Sequence, residues 1–441
     1  MLQKLLYRWL RVNRVILTNA GSLVGTTAIT SALGFAYWWF AARYFAPEAV
    51  GLASASISAM MLIGNICMLG LGTLLISELP QQADRKKSLI SSALIVAGGV
   101  GGGVGLIFAL AAPYVSKDFS SIGGDAILFA IGVSFTAVTL VLDQALIGLL
   151  YGGLQLWRNS VFAVTKLLAL ILLSSLFFNW QKPGAAIYMT WVIGNFISLA
   201  GLAGYIIFRR VPSIKSYLPT WDVLQKLKLA AMEHHLLNLT LQIPALTLPL
   251  LVTILLSAQM NAWFYVSWMI AGFLFILPFA LTMALYAIGV AHPTELTPRI
   301  RQTLVIASAT SVLANCLLLV GTPHILGLFG HTYAEQGALS LHLLGIGAFP
   351  LIIKDHYITV CRVQKRIRQA LSLAAIGVIL ELFSAALGAH LNGLSGLVLG
   401  WVIGLSIEAL CMFYPVYKVA HSADLYIQPP VETQSLVTVK E

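Results

Sequence analysis

The stretch VILTNAGSLVGTTAITSALGFAYWWF, from Val15 to Phe40, decides the class of the fold. It carries no Asp, Glu, Lys or Arg over 26 residues. About 20 apolar residues suffice for a helix to cross the hydrocarbon core of a bilayer. The apolar core of a cleaved signal peptide runs only about 7–15 residues, so this stretch reads as an uncleaved first span. The basic segment before it, MLQKLLYRWLRVNR, places Leu2, Leu5, Leu6, Trp9 and Leu10 on one helical face and Lys4, Arg8 and Arg11 on the other. Such a segment is either a short amphipathic helix at the inner interface or a plain basic anchor.

The rest of the chain repeats the pattern. Of 441 residues, 59% are hydrophobic and 10% charged, against about 25% charged in soluble domains. That much apolar surface needs lipid to cover it. Backbone groups in hydrocarbon must find partners within the chain, which leaves helices or a closed barrel. A barrel would show alternating segments of about ten residues. The apolar runs here are twice as long, so an all-α polytopic membrane protein is expected. Its spans fall near 17–42, 48–76, 88–114, 125–151, 160–179 and 185–208, then 231–257, 263–289, 302–321, 337–360, 370–390 and 394–417.

Charge sets the expected topology. Of the 26 Lys and Arg residues, 21 fall in segments that would face inward, Arg158 among them. Only Arg43, Lys117 and Lys182 fall in outer ones, and Lys166 and Lys354 lie within spans. Positive charge gathers on the cytoplasmic side, so both chain ends are expected inside (N-in/C-in). The formal charge of +10 is thereby accounted for without nucleic acid. Five segments follow: a cytoplasmic basic segment 1–14, a six-helix lobe 15–208, a cytoplasmic linker 209–230, a second six-helix lobe 231–418 and a cytoplasmic tail 419–441. Thr220 is placed to cap a short amphipathic helix near Trp221. The layouts of the lobes echo each other, with short outer loops at Phe45–Val50 and Ser257–Ala262 and basic inner turns at Arg158 and Arg362–Arg368. Two facing six-helix halves, about 12 transmembrane helices in all, are the architecture of alternating-access carriers.

Six ionisable residues lie inside spans: Asp143, Lys166, Lys354, Asp355, Glu381 and Glu408. Each costs about 2.5–3.5 kcal/mol on insertion scales, which makes each a functional-site candidate. Asp143 and Lys166 lie at similar depth in adjacent spans, and the structural reading is an ion pair between them. Lys354 either pairs internally or faces the cavity between halves, where it would hold a phosphate as a point charge. Glu381 and Glu408, if close, would favour a shared proton or cation; the alternative is a single hydrogen-bonded glutamate.

Other motifs have plainer readings. His234 and Asn238 share a helical face and suggest interface hydrogen bonding; adjacent histidines are not at metal-ligand spacing, and no metal is expected. GGVGGGVG, Gly98 to Gly105, holds overlapping GxxxG pairs that imply close helix packing. Pro244, Pro249, Pro278 and Pro350 predict bent helices in the second lobe. Tyr37, Trp38, Trp39, Phe40 and Tyr44, and Trp263, Phe264, Tyr265 and Trp268, read as interfacial aromatic belts. Cys67, Cys316, Cys361 and Cys411 read as small core hydrophobes. No Walker A, GxSxG or HExxH sequence occurs, so neither an enzyme nor a cofactor is expected.

The stretch GFAYWWFAARYFAPEAVGLASA (Gly34 to Ala55) resembles the first hairpin of bacterial polysaccharide-transport flippases, within the multidrug/oligosaccharidyl-lipid/polysaccharide exporter superfamily. Ala42, Arg43, Phe45, Pro47, Glu48 and Gly51 fill that family's A-R-x-(F/L)-x-P-E-x-x-G turn. LDQALIGLLYGGLQLWRNSVFAVTKLL (Leu142 to Leu168) and LGLFGHTYAEQGALSLHLLGIGAFP (Leu326 to Pro350) resemble it too. The resemblance implies a lipid-linked glycan of polyprenyl-phosphate type, crossing a bacterial inner (cytoplasmic) membrane. It also implies a cationic cavity, for which Arg43, Lys166, Lys354 and Arg362 are the substrate-binding candidates. Glu381, Glu408, Asp143 and Asp355 are the ion-coupling candidates. A glycan polymerase and glycosyltransferases are the implied protein partners. The rival readings are a cation-coupled multidrug antiporter of the same superfamily and a non-transporting component of an envelope polysaccharide assembly. A major-facilitator carrier is disfavoured, because QQADRKKS lacks the glycines of that family's inner loop.

Overall fold

The computed structural model describes residues 14–81, 85–116, 119, 125–176, 183–208, 229–292 and 295–421, with side chains from Gly21 in the first segment and Met232 in the sixth. The basic segment before Arg14, linker residues 209–228 with the expected Trp221 helix, and the tail beyond His421 lie outside them.

Among the described residues thirteen helices follow in order. They are α1 (Arg14–Tyr44), α2 (Pro47–Cys67), α3 (Leu71–Glu78), α4 (Lys86–Val115), α5 (Ala126–Gly148), α6 (Gly152–Leu176), α7 (Pro183–Phe208), α8 (Leu229–Leu255), α9 (Ala258–Ala291), α10 (Leu296–Gly327), α11 (His331–Ile346), α12 (Ala348–Val363) and α13 (Ile367–His421). Among the described residues no strand occurs, and ten helical stretches are long and apolar enough to cross a membrane. Val320, Leu319, Val305 and Ile107 are exposed, a surface only lipid tolerates. The chain is a multi-pass membrane protein.

Local chemistry sets several helix ends. Pro47 opens α2, where its missing N–H is no loss. Ser257 caps α9 by accepting from the Met260 amide at 3.1 Å. The expected span 48–76 is broken at Leu69 and Gly70, both at positive φ. The expected span 337–360 breaks at Gly347, three residues before Pro350. The last two expected spans form one helix, α13, interrupted at Asn392 and Gly393.

Two expectations are corrected here. Arg158 is not in a loop: it lies nearly two turns into α6 and is 2% exposed. The preceding turn is at Leu150, whose φ of 58° lets the Tyr151 amide reach back to the Leu146 carbonyl. The aromatic belts are also partly interior. Tyr37, Trp38 and Phe264 are buried, and the Tyr37 hydroxyl bonds Thr190 Oγ1 at 2.7 Å and the Ile187 carbonyl at 3.0 Å. Only Trp39 and Tyr44 of the first group are substantially exposed large aromatics.

Helices α1–α7 pack among themselves, as do α8–α13; the main bridge between the runs is α2 lying against α8 and α9. Gly51 makes that bridge possible, because a Cβ there would sit 1.6 Å from the Ala258 carbonyl oxygen. Asn261 Nδ2 donates to the Gly51 carbonyl at 2.7 Å and to Ser54 Oγ at 3.0 Å. Phe35 meets Phe329 edge-on, and Trp38 tilts against Tyr265 with centroids 4.6 Å apart. Arg43 Nε donates to the Leu328 carbonyl at 2.6 Å, a cation closing the C-terminal end of α10.

Candidate functional site

Each run of helices buries one polar cluster. In α8–α13 it is built on Lys354 of α12. The Lys354 ammonium donates to Glu381 Oε1 at 2.7 Å and to Glu408 Oε2 at 2.8 Å. Trp401 Nε1 donates to Glu381 Oε2 at 2.7 Å, and Trp268 packs edge-on against the Trp401 ring. All four members of the cluster are at least 95% buried. Glycines admit the carboxylates: a Cβ on Gly377 would lie 2.0 Å from Glu408 Cδ, and one on Gly404 would lie 2.8 Å from Glu381 Cα. Among the described residues Glu408 Oε1 is buried without a hydrogen-bond partner. Asp355 and Arg362, seven residues apart on α12, share a face. Arg362 Nη2 donates to Asn238 Oδ1 at 2.7 Å, while its Nε is unpartnered.

The cluster in α1–α7 is built on Lys166 of α6. Its ammonium lies 3.8 Å from the Trp191 ring centroid, 4.8 Å from Phe162 and 5.1 Å from Tyr37. It is 5% exposed and, among the described residues, has no ion-pair partner. Three aromatic faces replace part of its lost hydration. Beside it is a cavity of about 110 Å³ lined by Met61, Thr136, Phe162, Trp191 and Asn195. Thr136 Oγ1 and Trp191 Nε1 have no partner among the described residues. The far wall is an ion pair: Arg158 Nε and Nη2 reach Asp143 Oδ1 and Oδ2 at 2.9 and 2.6 Å, with Asn159 Nδ2 at 3.2 Å.

The expected residues therefore sort into separate places. Glu381 and Glu408 come together, on Lys354. Lys354 presents no free charge, since two carboxylates hold it. Asp143 pairs with Arg158 rather than with Lys166, correcting that expectation: Arg158 reaches back from the second turn of α6, while Lys166 sits about two turns further on. Arg43 is exposed and spent on α10 carbonyls, away from both clusters. Sequence reasoning missed Arg158, Trp191 and Trp401. Arg158 was hidden because the turn before α6 is set by a leucine at positive φ, Leu150, which moves the helix start upstream of the arginine.

The two clusters also stand in register. Leu150 and Lys365 are non-glycine residues at φ 58° and 56°, each starting the same reverse turn, with Tyr151 bonded to Leu146 and Arg366 to Cys361 at 2.8 Å. Lys166 is 16 residues beyond the first turn residue and Glu381 is 16 beyond the second.

No protein-family profile and no curated protein matches this chain in sequence. Solved structures match it in fold. A multidrug-resistance MATE family transporter of the MOP superfamily, in its inward-facing conformation, superposes with a TM-score of 0.70 at 15% identity, over 91% of this chain and 99% of that one. The lipid II flippase MurJ, in an inward closed conformation, gives 0.67 at 12% identity over 90% and 89%. A MOP superfamily transporter from Pyrococcus furiosus, described as having a binding pocket of reversed polarity, gives 0.63 at 13% over 92% and 96%. The chain has the fold of these transporters.

Proposed function

We propose that this chain is an alternating-access transporter that carries a lipid-linked anionic glycan precursor of polyprenyl-phosphate type across a bacterial cytoplasmic membrane. The observation that carries the reading is Lys166: a buried cation with no carboxylate partner among the described residues, beside a cavity with unpartnered donors from Thr136 and Trp191. A phosphate head group supplies the missing counter-charge. Twelve spans, N-in and C-in, form two six-helix halves, α1–α7 and α8–α13, whose matching turns at Leu150 and Lys365 support an internal repeat. On that topology the α2–α9 contact seals the outer face, and Lys166 and Arg362 line the path from inside. Polymerase and glycosyltransferase partners would act on the glycan at either face.

A second reading, a cation-coupled drug antiporter, draws on the aromatic cage of Tyr37, Phe162 and Trp191, which suits a flat cationic ligand once Lys166 is neutral. The two separate in proteoliposomes. Wild-type protein should move the head group of a lipid-linked oligosaccharide, and Lys166→Met should lower that rate at least tenfold while leaving the protein folded. Efflux of a cationic dye without head-group movement favours the antiporter.

A further inference from the structure

The charge count of the α12–α13 cluster is unbalanced. One ammonium, Lys354, faces two carboxylates, Glu381 and Glu408, and all three are at least 95% buried. Adding the neighbouring pair does not change the balance, because Asp355 is offset by Arg362 on the same face. A net charge so far from water is expensive, and removing it is cheaper than burying it. The geometry says where the compensation goes. Both oxygens of Glu381 accept hydrogen bonds, from Lys354 and Trp401. One oxygen of Glu408 accepts from Lys354, and the other, Oε1, has no donor among the described residues. The carboxyl of Glu408 also lies within hydrogen-bond reach of Glu381.

Among the described residues, no other titratable side chain on the surrounding helices hydrogen-bonds to the cluster. On α12, His356 bonds the Ile352 carbonyl and Thr303. On α8, Glu233 accepts from Arg368, and His234 and His235 lie beside it at the same end of the helix. On α9, Tyr286 lies near Arg362. On α10, Arg301 donates to the Ala420 carbonyl and Arg299 to Glu295. On α11, His342 is 3.4 Å from the Leu318 carbonyl and His331 pairs with Glu335. His390 on α13 is exposed, a little over two turns beyond Glu381.

We propose that the Lys354–Glu381–Glu408 cluster is a proton-binding site that holds one exchangeable proton on Glu408, shared with Glu381, and that this proton, not sodium, is the ion coupled to transport. Lys354 already occupies the place a metal cation would take between the two carboxylates. The Glu408 carboxyl is wedged against Gly377, where not even a methyl group fits, so several oxygen ligands cannot gather around an ion. A proton needs no room. When it leaves, Glu408 becomes a carboxylate with one bare oxygen and the cluster carries a buried negative charge; relief comes from water or from a rearrangement of α12 against α13. The coupling half of the proposal rests on the transporter reading, but occupancy by a proton does not.

Infrared spectra of the full-length protein in lipid nanodiscs at neutral pH read protonated carboxyls directly. The expected wild-type spectrum contains one protonated carboxyl per chain that is lost in Glu408→Gln. It is lost equally in Glu381→Gln, because a single remaining carboxylate is neutralised by Lys354. Lys354→Met should raise the count from one to two. Saturating sodium chloride should leave the wild-type signal unchanged. The same signal in wild type and both Gln variants, or its removal by sodium, overturns the proposal. If one variant does not fold, the other two still decide the count. Loss of glycan translocation with the proton signal intact counts against the substrate reading and leaves the proton site standing.

Discussion

Tryptophan meets the buried charge of each cluster with a different part of the indole. Trp191 turns its ring face to the Lys166 ammonium at 3.8 Å, using the negative face of the ring as a partner for a cation. Trp401 turns its edge to Glu381 and donates its N–H, the only polar contact an indole can offer a carboxylate. Lys166 and Glu381 each lie 16 residues beyond a non-glycine turn residue at positive φ, and each meets a tryptophan suited to its charge. The Arg158–Asp143 pair is different in kind. It is bidentate, and the side chains are 3% and 18% exposed. Removing one partner strands the other in a dry site, which costs about 3–5 kcal/mol for a buried pair. Arg158→Ala should therefore lower the thermal unfolding midpoint markedly, and Arg158→Ala with Asp143→Asn should recover part of the loss. Equal midpoints for the single variant and the wild type would show that the pair adds nothing. The sequence placed Glu381 and Glu408 in consecutive apolar runs and left open whether they meet; the structure brings both onto Lys354. The Lys354 contact to both was not legible, since helical neighbours Lys354, Asp355 and His356 point in three directions and sequence does not choose among them.

At the level of the helix, glycine decides which faces touch. In α4 the alternation is resolved residue by residue. A Cβ on Gly105 would lie 2.9 Å from Val133 Cβ, whereas one on Gly103 would meet nothing within 4 Å. Gly103→Ala should be neutral or stabilising by up to ~1 kcal/mol, since alanine is the better helix former. Gly105→Ala should destabilise by about 1–3 kcal/mol through overpacking. Thermal melts of the two variants side by side test the assignment, and a stabilising Gly105→Ala would refute it. The GGVGGGVG motif predicted close packing, and α4 does pack on α5; which glycines face the partner is a matter of rotation about the helix axis, which overlapping GxxxG pairs leave open. Span lengths were readable from apolar runs for the same reason that lipid enforces them. Helix breaks at Leu69 and Gly347 were not, because the first has a leucine in the left-handed turn and the second precedes the proline that signals it. The Leu150 turn is the same case: a leucine at positive φ carries no sequence signature, and the misplacement of Arg158 followed from it.

For the whole molecule, the proposed alternating access makes the contact between α2 and α9 the element that must change state. Gly51, Ser54, Ala258 and Asn261 close it, Trp38 and Tyr265 extend it, and Arg43 ties the end of α1 to α10. The account requires that this contact open once in every cycle. Asn261 Nδ2 and Ser54 Oγ are 3.0 Å apart, so Ser54→Cys and Asn261→Cys place two thiols facing each other across the contact, to be bridged directly or by a short thiol-reactive cross-linker, in a background with Cys67, Cys316, Cys361 and Cys411 replaced. The decisive measurement is translocation of a lipid-linked oligosaccharide by that double variant, oxidised and then reduced, in the same proteoliposomes. The account predicts that oxidation stops head-group movement and reduction restores it. Undiminished translocation by fully cross-linked protein would contradict alternating access through this contact.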